Sequence, residues 1–93
     1  MFCHGSRRDR HSVSEPPFHT RKGLDLKTRE LLTLCMLSAL GGAESQVKAH
    51  VRGNLNVGND KETMIAAITH CFPYMGFPRT LNALGCINEI IPE

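Results

Sequence analysis

Apolar residues in this chain fall into four stretches with helical spacing, and nowhere do they alternate with period two over a strand's length. The first predicted helix runs from Leu26 to Leu40, with Asp25 as its N-cap and Gly41-Gly42 as its stop. Leu31, Leu32, Leu34, Cys35, Met36, Leu37, Ala39 and Leu40 cover nearly its whole circumference, the pattern of a helix buried on all sides. The second covers Glu44–Asn56, with Val47, Val51 and Leu55 at four-residue spacing, and ends at Gly58. The third starts at Asn59 or Asp60, where Asn59 and Glu62 resemble a capping box, and continues through Met64, Ile65, Ile68 and Phe72. A break is expected over Pro73–Pro78, and a fourth helix over Pro78–Ile90 carries a stripe of Leu81, Leu84, Ile87 and Ile91. The expected fold class is all-α, about four helices in one small domain.

Residues 1–22 read differently. They hold only five apolar residues without a period, and Pro16-Pro17 would break any helix there. We therefore divide the chain into a basic, disordered or non-native arm (1–22) and a helical domain (23–93). The charge follows the same division. The formal +2 resolves into five basic against two acidic side chains in the arm, and six against seven in the domain. A positive balance confined to the arm argues against nucleic acid as the domain's partner; an arm that did bind it would show steep salt dependence.

Of the 93 residues, 41% are hydrophobic and 22% charged, a globular balance. Leu31–Leu40 is too short to span a membrane, and Met1–Lys22 carries no secretory apolar core, so a soluble cytoplasmic protein is expected. About seventy folded residues bury a modest fraction of their surface, and a first helix apolar all round needs more neighbours than three short helices supply. The expected partner is a second copy of the chain, in a homo-oligomer packed across helix one and helix four.

Candidate chemistry begins with what is missing. Cys3, Cys35, Cys71 and Cys86 form no Cys-x-x-Cys, which removes a local dithiol motif and a zinc knuckle. Cys35 and Cys86 sit in apolar helical stretches as small hydrophobes, whereas Cys71 lies beside His70 near the Pro/Gly break. His4, His11 and His19 lie in the arm, and no His pair has the close helical spacing of metal ligands, so no metal is expected in the core. His50 stands at the edge of the second helix's stripe and His70 near the end of the third; a hydrogen-bonded packing role is the ordinary reading of each.

Glu30 is the unusual residue. It lies four after Leu26 and four before Leu34, interrupting an apolar stripe, where a carboxylate must be paired or have its pKa raised. The ordinary account is an ion pair with Lys27 or Arg52. The sharper one joins Glu30 to His50 as two proton-carrying groups on adjacent helices, suited to general acid–base work.

Three segments carry a resemblance: Leu24-Asp25-Leu26-Lys27-Thr28-Arg29-Glu30-Leu31, Lys48-Ala49-His50-Val51-Arg52-Gly53-Asn54-Leu55-Asn56-Val57-Gly58, and Tyr74-Met75-Gly76-Phe77-Pro78 followed by Leu81-Asn82-Ala83-Leu84. In that order and spacing they resemble the carboxymuconolactone decarboxylase family, within the alkyl hydroperoxidase D-like superfamily, over about residues 23–90. The resemblance implies an all-helical fold assembled as trimers or hexamers. The superfamily's peroxidases use a Glu, a Cys-x-x-Cys, and a His four residues after the second Cys. Glu30 and His50 look like that Glu and that His, but Gly41–Gln46 holds no sulfur, so the peroxidase activity is not carried over. The His four residues before the Tyr-x-Gly-x-Pro motif matches His70, with Tyr74 as the motif tyrosine, and both are expected to line the pocket. Members usually bring one or two further helices ahead of the Leu-Asp-Leu-Lys motif; residues 1–22 stand in that place.

The implied reaction is decarboxylation of 4-carboxymuconolactone, a small dianionic lactone, to a delocalised dienolate. It needs no cofactor, because the lactone carbonyl accepts the electrons. His50 is then the proton donor, Glu30 orients and tunes it, and Arg52 pairs with a substrate carboxylate or with Glu30. Two other readings stand beside this one: a thiol-dependent antioxidant enzyme using Cys71 alone, and a non-enzymatic oligomeric scaffold.

Overall fold

The computed structural model describes residues 23–92, and the readings made for residues 1–22, including Cys3, His4, His11 and His19, lie outside them. Four helices follow one another: α1 (Leu26–Leu40), α2 (Glu44–Asn56), α3 (Lys61–Met75) and α4 (Phe77–Ile90). Among the described residues there is no strand. Each of α1 and α4 packs against both α2 and α3, while α2 and α3 lie diagonally and barely touch.

The caps explain where α1 and α3 begin. Asp25 accepts a hydrogen bond from the Thr28 backbone N–H at 2.8 Å, and Asp60 accepts one from Thr63 N–H at 2.9 Å. Both carboxyls sit below the usual aspartate range, first through the side chains of Thr28 and Thr63 and then through these backbone bonds. The cap of α3 is thus Asp60, and the Asn59–Glu62 capping box does not form: Asn59 turns inward and is buried. Helix α2 starts without a side-chain cap at Ala43.

The break expected over Pro73–Pro78 shrinks to one residue. Pro73 lies inside α3, near enough to its end that only the bond to the Thr69 carbonyl is forfeited. The reversal falls on Gly76, with φ 88°, a left-handed conformation that favours glycine. Gly76 N–H donates to the Phe72 carbonyl at 3.0 Å, and the Gly76 carbonyl accepts from Thr80 N–H at 3.1 Å, so one residue closes α3 and opens α4.

The core is built from Leu34, Val47, Val51, Met64, Ile68, Met75, Ala83, Cys86 and Ile87. Two stripes differ from expectation. In α2 the inward residue after Val51 is Asn54, and Leu55 faces out. In α4 the buried face is Thr80, Ala83, Cys86 and Ile87; Leu81 is exposed and Leu84 half-buried. Helix α1, expected to find neighbours all round in an oligomer, is covered on one side within the single chain. Leu34 and Ser38 are enclosed, whereas Leu32, Met36 and Leu40 project outward, Leu40 with 70% of its surface exposed.

Candidate active site

Glu30 occupies the second turn of α1 and His50 the middle of α2. The contact between these helices brings Glu30 Oε1 to 3.0 Å from His50 Nδ1. Both side chains are partly sheltered, 22% exposed for Glu30 and 35% for His50. A carboxylate only accepts, so the bond fixes the imidazole proton on Nδ1 and leaves Nε2 as the nitrogen free to meet another molecule. The carboxylate lies against the backbone of α2 at Gly53, where a Cβ would stand 2.8 Å from Oε1. Among the described residues no ion pair joins Glu30 to Lys27 or Arg52, which had offered its ordinary account.

Beneath this pair is a buried amide network absent from the sequence reading. Asn54 Nδ2 donates to the Glu30 carbonyl at 3.1 Å and to the His50 carbonyl at 2.7 Å. Asn59 Nδ2 donates to Asn54 Oδ1 at 2.8 Å and to the Lys27 carbonyl at 2.9 Å. Asn54 could have been suspected from its place three residues after Val51 and seven after Val47, on the stripe itself. Nothing local marks Asn59, because its partners lie on other elements.

The remaining candidates stand apart from the pair. Arg52 is exposed on α2. His70 and Tyr74 lie near the end of α3, both exposed, Tyr74 to 90%. Among the described residues no hydrogen bond or ion pair joins any of the three to Glu30 or His50. A shallow hollow of about 10 Å³, room for one water, opens at the opposite end of α1 between Leu37, Gly41, Glu44, Arg79 and Ala83, and includes neither Glu30 nor His50.

Cys71 proves not to be solitary: it lies near enough to Cys35 on α1 to act on that thiol. The Cys35 thiol is pushed up to about 12, first by burial and then by Cys71. Burial also raises Cys86. Among the described residues no group of three or more His, Cys, Asp or Glu could hold a metal ion, and no helix is long and apolar enough to cross a membrane.

A half-sheltered carboxylate–imidazole pair on two helices of an all-α domain is what the resemblance implied, and comparison with known sequences decides the family. The model of the carboxymuconolactone decarboxylase family matches residues 17–89. The chain belongs to this family. It is 34% identical over 74 residues, 80% of its length, to a protein of Acinetobacter baylyi named 4-carboxymuconolactone decarboxylase. The chain spans about half of that relative, 54% of its length. The family match covers all four helices up to Glu89, and with them Glu30, His50 and the two asparagines.

Proposed function

We propose that this chain carries the acid–base centre of a carboxy-lyase that decarboxylates a small lactone carboxylate of the 4-carboxymuconolactone type without a cofactor. The carrying observation is the 3.0 Å contact between Glu30 Oε1 and His50 Nδ1. When the C–CO2 bond breaks, its electron pair passes into the lactone carbonyl to give the dienolate, and carbon dioxide leaves. His50, protonated on both nitrogens, returns a proton to carbon from Nε2, while Glu30 keeps Nδ1–H aimed and stabilises the imidazolium. Arg52, exposed on α2 two residues after His50 and beside Gly53, pairs with a substrate carboxylate. His70 and Tyr74 line the pocket once a neighbouring copy covers the end of α3, in a trimer or hexamer. The relative's name and the family match support the reaction class.

The experiment is turnover of 4-carboxymuconolactone by the wild type and by His50→Gln. A loss of about 10²-fold or more in kcat is expected, the usual worth of a general acid. Full turnover by His50→Gln would remove the assignment.

A second reading, thiol-dependent peroxide reduction at Cys71, has the nearness of the Cys35 thiol in its favour, since the two thiols act on one another electrostatically. It predicts peroxide-dependent thiol turnover that Cys71→Ser abolishes. No such turnover leaves the first reading alone.

A further inference from the structure

We propose that the buried Asn54–Asn59 amide pair is a positioning element for Glu30 and His50, setting the offset of α1 against α2 at which carboxylate and imidazole meet. The proposal rests on the acid–base reading of Glu30 and His50 and adds to it the residues that hold their geometry.

Asn54 is fully enclosed, with 0% of its surface exposed, in a position where an apolar side chain would carry no polar cost. A buried amide is tolerated there because every strong demand is met. One N–H reaches the Glu30 carbonyl on α1 and the other reaches the His50 carbonyl on α2. These are the backbones of the very two residues whose side chains touch. Side-chain contact and backbone contact therefore close a ring across the helix interface.

The ring is oriented by Asn59. Carbonyl oxygens can only accept, so the Asn54 NH2 group must face Glu30 and His50, and its Oδ1 must face away. Asn59 supplies the donor for that oxygen and spends its second N–H on Lys27. The Asn59 backbone N–H also donates to the Asn54 carbonyl at 2.9 Å, which seats the second amide. Lys27 and Glu30 lie three residues apart on α1. Gripping both carbonyls opposes sliding of α1 along α2 and rotation about its own axis. A slide of one residue, about 1.5 Å, would lengthen the Glu30–His50 contact beyond hydrogen-bond range.

The readout is the tautomer of His50, followed by imidazole 15N chemical shifts, which needs no substrate. In the wild type Glu30 selects the Nδ1–H form. Asn54→Ser keeps a hydroxyl able to reach the His50 carbonyl within α2, but is too short to reach α1. We expect the ratio of Nδ1–H to Nε2–H in Asn54→Ser to fall roughly threefold or more. Asn59→Ala, which leaves both Asn54 donors in place, should lower it less. Ile87→Val, a core change on α4 at a residue that makes no hydrogen bond to the network, should lose stability while keeping the wild-type ratio.

An unchanged ratio in folded Asn54→Ser overturns the proposal, and so does an equal fall in Ile87→Val. If Asn54→Ser does not fold, Asn59→Ala decides by the same ratio. If neither folds, the pair serves the fold as a whole and the positioning role is refuted. A shifted ratio in a protein that leaves the lactone untouched would sustain this inference and sink the lactone reading instead.

Discussion

Gly53 and Glu30 are in contact across the α1–α2 interface, with the carboxylate Oε1 only 2.8 Å from where a Cβ on Gly53 would stand. The helix gains nothing from a glycine there; alanine is better in a helix interior by about 0.5–1 kcal/mol. The space is taken by the end of a flexible side chain, which can swing aside at small cost. Gly53→Ala should therefore fold with equal or slightly greater stability while displacing the carboxylate from His50. Thermal unfolding and lactone turnover measured on the same sample would show stability kept and activity lowered, by about tenfold or more if the pair acts as a unit. Undiminished turnover would mean that the carboxylate's position does not matter.

The outward face of α1 gives a prediction about assembly. Met36 and Leu40 are exposed, and neither belongs to the core cluster. Met36→Glu should leave helicity intact and lower the sedimentation coefficient by breaking a homo-oligomer. A wild type that sediments as a 10.3 kDa monomer at micromolar concentration would rule the assembly out.

Alkaline pH should weaken the fold through Cys35. Its thiol holds the proton to about 12 in the folded chain, against an ordinary 9.0. The folded state keeps a proton that the unfolded state releases, so this contribution is complete below pH 9 and lost as pH rises toward 12. Urea midpoints measured from pH 8 to 11 should fall, and the fall should be shallower in Cys35→Ala. Parallel curves for the two proteins would remove Cys35 as the cause.

Pro73 makes a prediction in the opposite direction. Inside α3 it forfeits the bond to Thr69 and crowds that carbonyl, a cost partly offset because proline also restricts the unfolded chain. Pro73→Ala is expected to raise stability by about 1–2 kcal/mol. Denaturant unfolding would reveal it, and a loss of stability would show that the ring packs against something worth more than the bond.

The parts of this structure legible in the sequence are those decided within one turn of helix. The bounds of α1 and α2 follow from Asp25, Gly41-Gly42 and the apolar runs between them, and Glu30 stands out because it breaks a stripe. Misjudged residues depend on partners far along the chain. The place of Asn54 on the α2 stripe hints at burial, but its bond to Glu30, 24 positions earlier, does not show in the sequence, and Asn59 needs Lys27, 32 positions away. Pro73 and the double duty of Gly76 were hidden for another reason: local propensity marks Pro73 as a stop, yet the apolar face through Met75 still gains by continuing.

Joining α3 to α4 through Gly76 leaves no slack in the chain there. Each residue of a helix turns the next by about 100°. With that corner fixed, a residue added or deleted in the first turn of α4 would rotate the rest of the helix by that angle, carrying Ala83, Cys86 and Ile87 away from the core and bringing Leu81 or Asn82 in their place. The α3–α4 corner is thus the point in the domain where length, and not residue identity alone, is under constraint. Families of such chains should vary in length between α1 and α2 or between α2 and α3, and hardly at all here.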